Sequence, residues 1–218
     1  MRLAATVILV RDGARGIEVL MVRRSSRSAF APDAFVFPGG TVDPEDYAEQ
    51  ADGWNQWLEP QFRAEIPSAL PATEPTVDLA DAAALVRAAA RELREEASIG
   101  VDPRSLVLFS HWITPPTEPR RYNTHFFIAK VGDDQIGTAD AFETHDAQWI
   151  APREALERHA RDEMHLVYPT IKHLERLAEF PRADDAIAFS TNKPILTIMP
   201  DRAPSEGFVM PAELEGMW

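Results

Sequence analysis

The sequence predicts a fold of the α/β or α+β class, because strand-like runs flank one long helix and a second helix follows later. The long helix is expected from about Asp78 to Ser98, a shorter helix to begin at Pro152–His159, and the later one at Thr170–Glu179. Of the 218 residues, 45% are hydrophobic, so the chain can bury a full core and lies at the upper end of a single domain. We therefore expect residues 1–218 to form one domain.

The predicted strands are apolar or alternating runs that end at turn-forming residues. The first two are separated by the turn-forming segment 12–16, which indicates a hairpin. The third ends at Pro38, Gly39 and Gly40, where the chain must turn tightly and bring its backbone close to a ligand. In chain order the strands are expected at Leu3–Val10, Glu18–Arg23, Ala34–Phe37, Ser105–Ile113, Thr124–Val131, Ala147–Ile150 and Ile195–Met199.

The long helix carries three glutamates, Glu92, Glu95 and Glu96, at spacings that bring their side chains together. Like charges at these spacings destabilise a helix, whereas a hard divalent cation such as Mg²⁺ binds carboxylate oxygens and reverses the effect. On a helical projection, Glu92 and Glu96 fall at the rim of the apolar stripe near Leu85, where carboxylates lose hydration and need a partner. The alternative is a solvated helix with salt bridges such as Arg91 to Glu95.

Two fragments, FPGG ending at Gly40 and AARELREEAS ending at Ser98, resemble the two halves of the Nudix box. The box reads G-x5-E-x7-R-E-U-x-E-E-x-G-U, where U is a bulky apolar residue. Gly40 corresponds to the opening glycine, and the closing run extends from Arg91 to Ile99. Ser98 replaces the glycine that normally ends the helix in a left-handed conformation, so Gly100 is an alternative helix end.

The resemblance implies a Nudix-type α/β/α sandwich with a mixed β-sheet and an insertion inside the box. It implies Mg²⁺ or Mn²⁺ as cofactor, held by Glu92, Glu95, Glu96 and the carbonyl of Gly39. Glu92 and Glu95 would be catalytic, one carboxylate positioning or deprotonating a water molecule, and Arg91 would orient the carboxylates. The implied reaction is hydrolysis of the pyrophosphate bond in a small-molecule nucleoside diphosphate that is linked to another group.

The box is interrupted between its two halves. Its first acid is expected at Asp46, six residues after Gly40, or at nearby Asp43. From Asp46, 45 residues lead to Arg91 where the box has eight, so about 37 residues are inserted. We expect the insertion at about residues 44–80.

The insertion is acidic and rich in proline, but it contains aromatic residues that can pack. A helix is expected at Tyr47–Leu58, and Trp54, Trp57 and Phe62 offer apolar surface for the body of the domain or for a second subunit of a homodimer. Because both ends of the insertion must lie near the metal site, we expect a packed lid that affects substrate choice rather than chemistry.

A long insertion at this point resembles one branch of the family, the peroxisomal coenzyme A diphosphatases of animals and their bacterial relatives. This resemblance favours coenzyme A or acyl-CoA as the substrate, with ADP-ribose or another nucleoside diphosphate derivative as the alternative. The competing class is a non-catalytic, regulatory Nudix module that binds a nucleotide. Its usual mark is loss of a box glutamate, and the closing run here keeps all three.

Charge and composition restrict the partners. A formal net charge of −13 argues against nucleic-acid binding through a basic surface, and bound metal ions would reconcile an acidic protein with a polyanionic substrate. The chain has no cysteine, which excludes disulfides and permits a reducing compartment. The apolar run Ala4–Val10 is too short to span a membrane, so a cytoplasmic protein without a membrane partner is expected.

Four arginines are candidates for contacts with substrate phosphates. Arg23 and Arg24 end a predicted strand, and Arg120 and Arg121 follow a proline-rich loop. The alternatives are a solvated strand end for the first pair and salt bridges with surface acids such as Glu118 for the second.

Loop glutamates and histidines complete the candidates. Glu118 and Glu143 lie in loops where Nudix enzymes often place an extra metal ligand or general base, although a surface glutamate is the commoner outcome. His111, His125 and His145 lack metal-type spacing, and we interpret them as structural or surface residues.

Overall fold

A mixed β-sheet lies at the centre of the molecule. The computed structural model describes residues 1–26, 31–47, 53–62, 77–132, 134–135, 137, 144–203, 207–212, 214–216 and 218. The strands in these residues are β1 (Arg2–Gly13), β2 (Gly16–Arg24), β3 (Phe35–Val36), β4 (Gly39–Thr41), β5 (Val107–Ile113), β6 (Tyr122–Lys130), β7 (Thr144–Ile150), β8 (Thr197–Ile198), β9 (Asp201–Ala203) and β10 (Gly207–Val209). The first eight belong to the central sheet, and β9 and β10 pair with each other.

The order of the strands places β1 in the middle of the sheet. Along the main path the order is β3-β2-β1-β6-β5-β8, while β4 also pairs with β1 and β7 with β2. β1 runs parallel to β6, and β5 runs parallel to β8, whereas the other pairs are antiparallel. The predicted mixed sheet is therefore confirmed.

Helices cover both faces of the sheet. They are α1 (Asn55–Phe62), α2 (Leu79–Ala97), α3 (Pro152–Ala160), α4 (Tyr168–Leu177) and α5 (Ala183–Asn192), with 3₁₀ turns at Pro44–Tyr47 and Pro103–Ser105. Alternate residues of β1 enter two separate cores: Val7 and Leu9 pack with α1 and α2, whereas Ile8 and Val10 pack with α3, α4 and α5. This arrangement is the predicted α/β/α sandwich. Among the described residues, none of the helices combines the length and the hydrophobicity that crossing a lipid bilayer requires.

Both ends of α2 agree with the prediction. The Asp78 side chain caps the first turn by accepting a hydrogen bond from the N–H of Asp81 at 2.8 Å. At the other end Ser98 itself adopts the left-handed conformation (φ 57°, ψ 26°), and its N–H donates to the carbonyl of Arg94. The helix therefore ends at the serine, and Gly100 is not the helix end.

The helix predicted at Tyr47–Leu58 differs from the observed α1. Residues 48–52 and 63–76 lie outside the described residues, and α1 runs from Asn55 through Pro60 to Phe62. A proline inside a helix leaves one carbonyl without its N–H donor, which favours ending the helix earlier. Here packing against the core outweighs that preference, because Leu58 is completely buried and Trp57 and Phe62 pack on the same core.

One strand prediction needs correction, and one helix was not predicted. The strand predicted at Ala34–Phe37 is only Phe35–Val36, and the chain then crosses to β1 as a separate strand, β4. The tail also contains α5, which was not predicted. Its last turn is rich in residues with low helix propensity, and their side chains donate to carbonyls four residues earlier, as in Ser190 to Ala186 and Asn192 to Ala188.

Candidate active site

The turn at Gly39 and Gly40 lies directly against α2. A Cβ on Gly39 would meet the carbonyl oxygen of Ala5 and the Cα of Thr6, and a Cβ on Gly40 would overlap the carboxylate of Glu92. The N–H of Gly39 donates to Oε2 of Glu96 at 2.8 Å. Only glycine fits this close approach, so the two halves of the interrupted box meet in space.

Arg91 is the centre of a hydrogen-bond network beside this turn. Its Nη1 donates to Oε1 of Glu92 at 2.9 Å and to Oε2 of Glu95 at 3.1 Å. Its Nη2 donates to the carbonyl of Thr41 at 3.1 Å, which ties α2 to β4. Hydrogen bonding to Asp46 is the main reason that the pKa of Arg91 is raised, and the charge of Glu92 adds to it. The guanidinium therefore stays charged and fixes two of the three glutamates.

Asp46 holds Arg91 from the other side. Its two carboxylate oxygens accept from Nε and Nη2 of Arg91 at 3.2 and 2.9 Å, and one of them also accepts from the N–H of Asp43 at 2.8 Å. The side chain of Asp46 is 4% exposed, whereas the carboxylate of Asp43 lies 3.6 Å from Arg91 and is half exposed. Of the two candidates for the first acid of the box, Asp46 is thus the one bound bidentately to the arginine.

The three glutamates differ in exposure. Glu96 is 5% exposed, the side chain of Glu92 is 12% exposed, and that of Glu95 is 58% exposed. Glu92 and Glu96 therefore turn toward the packed face, in agreement with the helical projection. Glu95 lies on the outer side and forms the salt bridge with Arg91 that the alternative interpretation expected.

The network contains the donor type that Mg²⁺ and Mn²⁺ prefer, namely carboxylate oxygens. In the part of the chain that the structure describes, however, no three Asp, Glu or His side chains are grouped so that they could hold a metal ion. Arg91 draws Glu92 and Glu95 toward itself, and Glu96 is bound to Gly39. The chemistry of the residues fits a divalent cation, and their joint role as ligands stays a prediction.

The described part of the insertion packs beside the site. Arg87 of α2 donates to the carbonyl of Asp46 at 2.9 Å and lies 5.2 Å from the ring centroid of Trp54. Trp54, Trp57 and Phe62 pack on the core under α2, so the expected anchoring of these aromatics on the body of the protein is confirmed. The hydroxyl of Tyr47 donates to Asp81 at 2.8 Å, and burial together with this contact raises its pKa to about 12.

The structure places the predicted arginines at the sheet end where the turn lies, and two of them, Arg23 and Arg121, have local side-chain partners. Arg23 forms an exposed ion pair with Asp33 at 3.0 Å, and the N–H of Arg24 donates to the carbonyl of Ala34. Nε of Arg121 donates to the carbonyl of Thr114 at 2.9 Å.

The loop between β5 and β6 gives two further outcomes. Glu118 forms an ion pair with Arg202 at 2.6 Å. The sequence had suggested Arg120 or Arg121 as the partner of Glu118. Arg120 is exposed. Glu143 and the side chain of His145 lie outside the described residues.

His111 and His125 form a feature that sequence reasoning missed. The two rings stack with centroids 4.2 Å apart and an interplanar angle of 15°, and both residues are buried. Burial lowers the pKa of each imidazole, so both rings are neutral near pH 7. Phe62 of the insertion lies against His125 with ring centroids 5.6 Å apart.

Known proteins resemble this chain in both sequence and fold. A family model described as the NUDIX domain matches residues 78–171. The chain is 27% identical over 182 residues to a Caenorhabditis elegans protein named nudix hydrolase 7, covering 82% of this chain and 61% of that protein. It is 24% identical over 247 residues to acyl-coenzyme A diphosphatase NUDT19 of Xenopus laevis, covering 81% of this chain and 63% of that protein. The chain thus spans less than two thirds of the length of these relatives.

A solved structure agrees with this relationship. The crystal structure of a NUDIX hydrolase from Alicyclobacillus acidocaldarius superposes with a TM-score of 0.66 at 27% sequence identity. The match covers 86% of this chain and 96% of that one. The two proteins therefore share most of their fold.

Proposed function

We propose that this chain is a Nudix hydrolase, because residues 78–171 match the NUDIX family model, and that it hydrolyses the pyrophosphate bond of a nucleoside diphosphate that is linked to another group. One observation supports the proposal most strongly. Despite the long insertion, Glu92 and Glu96 meet the Gly39–Gly40 turn, and Arg91 is held by Asp46. Burying or half-burying these four charged side chains at the turn is costly. A domain with a purely structural role would not require such a cluster, whereas a catalytic site would.

Glu92, Glu95, Glu96 and the carbonyl of Gly39 are the residues that we assign to the metal. A bound Mg²⁺ or Mn²⁺ would neutralise the diphosphate and lower the pKa of a water molecule. One carboxylate, Glu92 or Glu95, would position or deprotonate that water, which attacks one phosphorus atom. The bond between that phosphorus and the bridging oxygen breaks, and the second phosphate leaves with the oxygen, so that two phosphate monoesters form.

Arg91 would act as a positioning residue. It donates to two of the glutamates and is itself fixed by Asp46 and the carbonyl of Thr41. Beside a bound metal ion, Arg91 would remain a fixed neighbour of opposite charge for these carboxylates, which would limit the number of rotamers that they can adopt.

Coenzyme A or acyl-CoA is the substrate that we favour, and ADP-ribose or another nucleoside diphosphate derivative is the alternative. The support for coenzyme A is the likeness to proteins named acyl-coenzyme A diphosphatase, at 24% and 26% identity. We further propose that residues 1–218 act as one domain, that the insertion contributes to substrate choice, and that Arg23, Arg24, Arg120 and Arg121 contact the substrate.

A turnover assay tests the function. The protein is incubated with coenzyme A, acyl-CoA, ADP-ribose and dinucleoside polyphosphates in the presence of Mg²⁺ or Mn²⁺, and the products are identified by mass. Phosphate monoesters that appear only with metal are the expected result. Binding of these compounds without turnover would instead indicate a regulatory Nudix module.

Glu96→Gln tests the assigned chemistry because it removes a charge but no volume. We expect kcat to fall by about 100-fold or more. Glu179→Gln is the matched control, because Glu179 pairs with Arg176 of α4, which packs on the face of the sheet opposite to α2, and it should leave kcat unchanged. An unchanged kcat for Glu96→Gln at saturating metal would contradict the assignment.

A further inference from the structure

The stacked histidines, His111 and His125, lie in one row across the sheet with the Gly39–Gly40 turn. Ala5 of β1 pairs with Gly40 on one side and with His125 on the other. His125 in turn pairs with His111, and His111 pairs with Thr197 of β8. Because neighbouring strands are about 4.8 Å apart, the backbone of His125 lies roughly 10 Å from that of Gly40.

The row faces the same side of the sheet as the glutamates. A side chain on Gly40 would point at Glu92 of α2. Ala5 belongs to the core under α2, as does Phe127, which follows His125 by two residues and so shares its face of the strand. Phe62 of α1 packs on the same core and lies against His125, so the imidazole row and the turn that meets α2 belong to one face of the sheet.

The two rings are held in different ways. Nδ1 of His111 is 2.9 Å from the hydroxyl of Thr197, and Nε2 is 2.6 Å from Oδ1 of Asn123. Because the amide oxygen can only accept, Nε2 of His111 donates and Nδ1 accepts from the threonine. Nδ1 of His125 is buried and has no hydrogen-bond partner among the described residues. A buried polar atom without a partner destabilises a protein, and a ligand group that bonds to the atom would remove that penalty.

We infer that His125, held flat by its stack with His111, contacts the nucleoside part of the substrate and helps to determine specificity. The inference rests on the proposed hydrolase function, because a diphosphate bound at the turn would bring its attached nucleoside within reach of this row, roughly 10 Å away. The group recognised is an N–H or O–H donor of the base or the ribose, which would satisfy Nδ1. Because Phe62 lies beside the imidazole of His125, the described part of the insertion would contribute to the same subsite.

The first test separates recognition from chemistry. His125→Phe keeps a flat ring for the stack and removes both ring nitrogens. For a nucleoside-containing diphosphate we expect KM to rise about 3- to 10-fold, the range that corresponds to one lost hydrogen bond, with kcat unchanged. For a diphosphate diester of two simple alkyl groups, KM should not change. Equal effects on both substrates would show a structural role and overturn the inference.

The second test does not depend on turnover. Binding of AMP, which has no pyrophosphate bond to cleave, is measured by calorimetry for the parent, His125→Asn and His125→Gln. Because an Asn amide lies near the position of Nδ1 and a Gln amide near that of Nε2, His125→Asn should bind AMP more tightly than His125→Gln. Equal Kd values for the two variants and the parent would refute the contact.

One control variant tests whether the effect is specific to His125, and one outcome separates this inference from the proposed function. His159→Phe removes an imidazole on α3, at the other face of the sheet, where Nδ1 is bonded to the carbonyl of Met164. It should change neither KM nor the affinity for AMP. If the parent hydrolyses none of the diphosphates, the proposed function fails, whereas the AMP titrations still decide the role of His125.

Discussion

Asp46 should hold the site together by anchoring Arg91, and the substitution Asp46→Asn tests this. Asparagine has the same shape as aspartate but carries no charge. The substitution removes one negative partner of a guanidinium that is only 24% exposed, and it removes one of the two charge-assisted hydrogen bonds between Asp46 and Arg91. It also weakens the acceptor for the N–H of Asp43.

The expected magnitude follows from these contacts. Removing one partner of a buried ion pair destabilises a protein by about 3–5 kcal/mol. Arg91 keeps Glu92, Glu95 and the carbonyl of Thr41, and the amide oxygen of asparagine can still accept from it. We therefore expect a smaller loss of about 2 kcal/mol in the free energy of unfolding, or a decrease in Tm of roughly 4–8 °C for a chain of this size.

Activity should fall as well, because Arg91 positions two glutamates. Loss of an orienting residue behind metal ligands typically lowers activity or metal affinity by about 10–100-fold. The assays are urea denaturation and kcat at saturating metal. The matched control is Asp43→Asn, because that carboxylate is half exposed and 3.6 Å from Arg91, and its loss should amount to less than about 1 kcal/mol. Equal losses for the two variants, or parent-like stability of Asp46→Asn, would refute the anchoring role.

Three further predictions concern other parts of the structure. Gly40→Ala should lower kcat by about 100-fold because its Cβ would displace Glu92, whereas Gly100→Ala, which has open space around it, should leave kcat unchanged. Burial lowers the pKa of Lys193 to about 7, so the unfolded chain binds more protons between that pH and the ordinary pKa of 10.5. The free energy of unfolding should therefore rise with pH over this range, and Lys193→Met should flatten the rise in urea denaturation. Burial lowers the pKa of His173 to about 3, so stability should fall as the pH drops from 6.5 toward 3, and His173→Gln should remove that contribution.

The long helix could be predicted almost to the residue because its limits are set locally. Asp78 supplies the N-cap, and the apolar stripe repeats at helical spacing up to the residue before Ser98. The end of the helix at Ser98 is harder to predict, because serine rarely adopts the left-handed conformation. The hydrogen bond from its N–H to the carbonyl of Arg94 closes the last turn without glycine.

Elements that depend on distant contacts were predicted less well. A proline at position 60 argues against a helix in isolation, and only the core beneath α1 explains why the helix continues. The segment after Ala34 divides between two partner strands, because β3 pairs with β2 while β4 pairs with β1. Local sequence carries no information about such a change of partner.

In the candidate site, too, features set by local sequence could be predicted, whereas features set by distant contacts could not. The box spacing alone placed Glu92 and Glu96 near Gly40, but the choice between Asp43 and Asp46 required the fold, because 45 residues separate Asp46 from Arg91 along the chain. The 3₁₀ turn at Pro44–Tyr47 buries Asp46 against α2.

The histidine pair could have been predicted in part. A hairpin that closes at Ile113 and Asn123 places His111 opposite His125, because antiparallel partners recede from the loop by equal numbers of residues. The position of that pair relative to the turn could not be predicted in this way. It depends on the parallel pairing of β6 with β1, which brings His125 beside Ala5 across 120 residues of chain, and parallel neighbours leave no local mark in the sequence. The proposed role of His125 in recognition rests on this pairing, and the AMP titrations test the proposed contact.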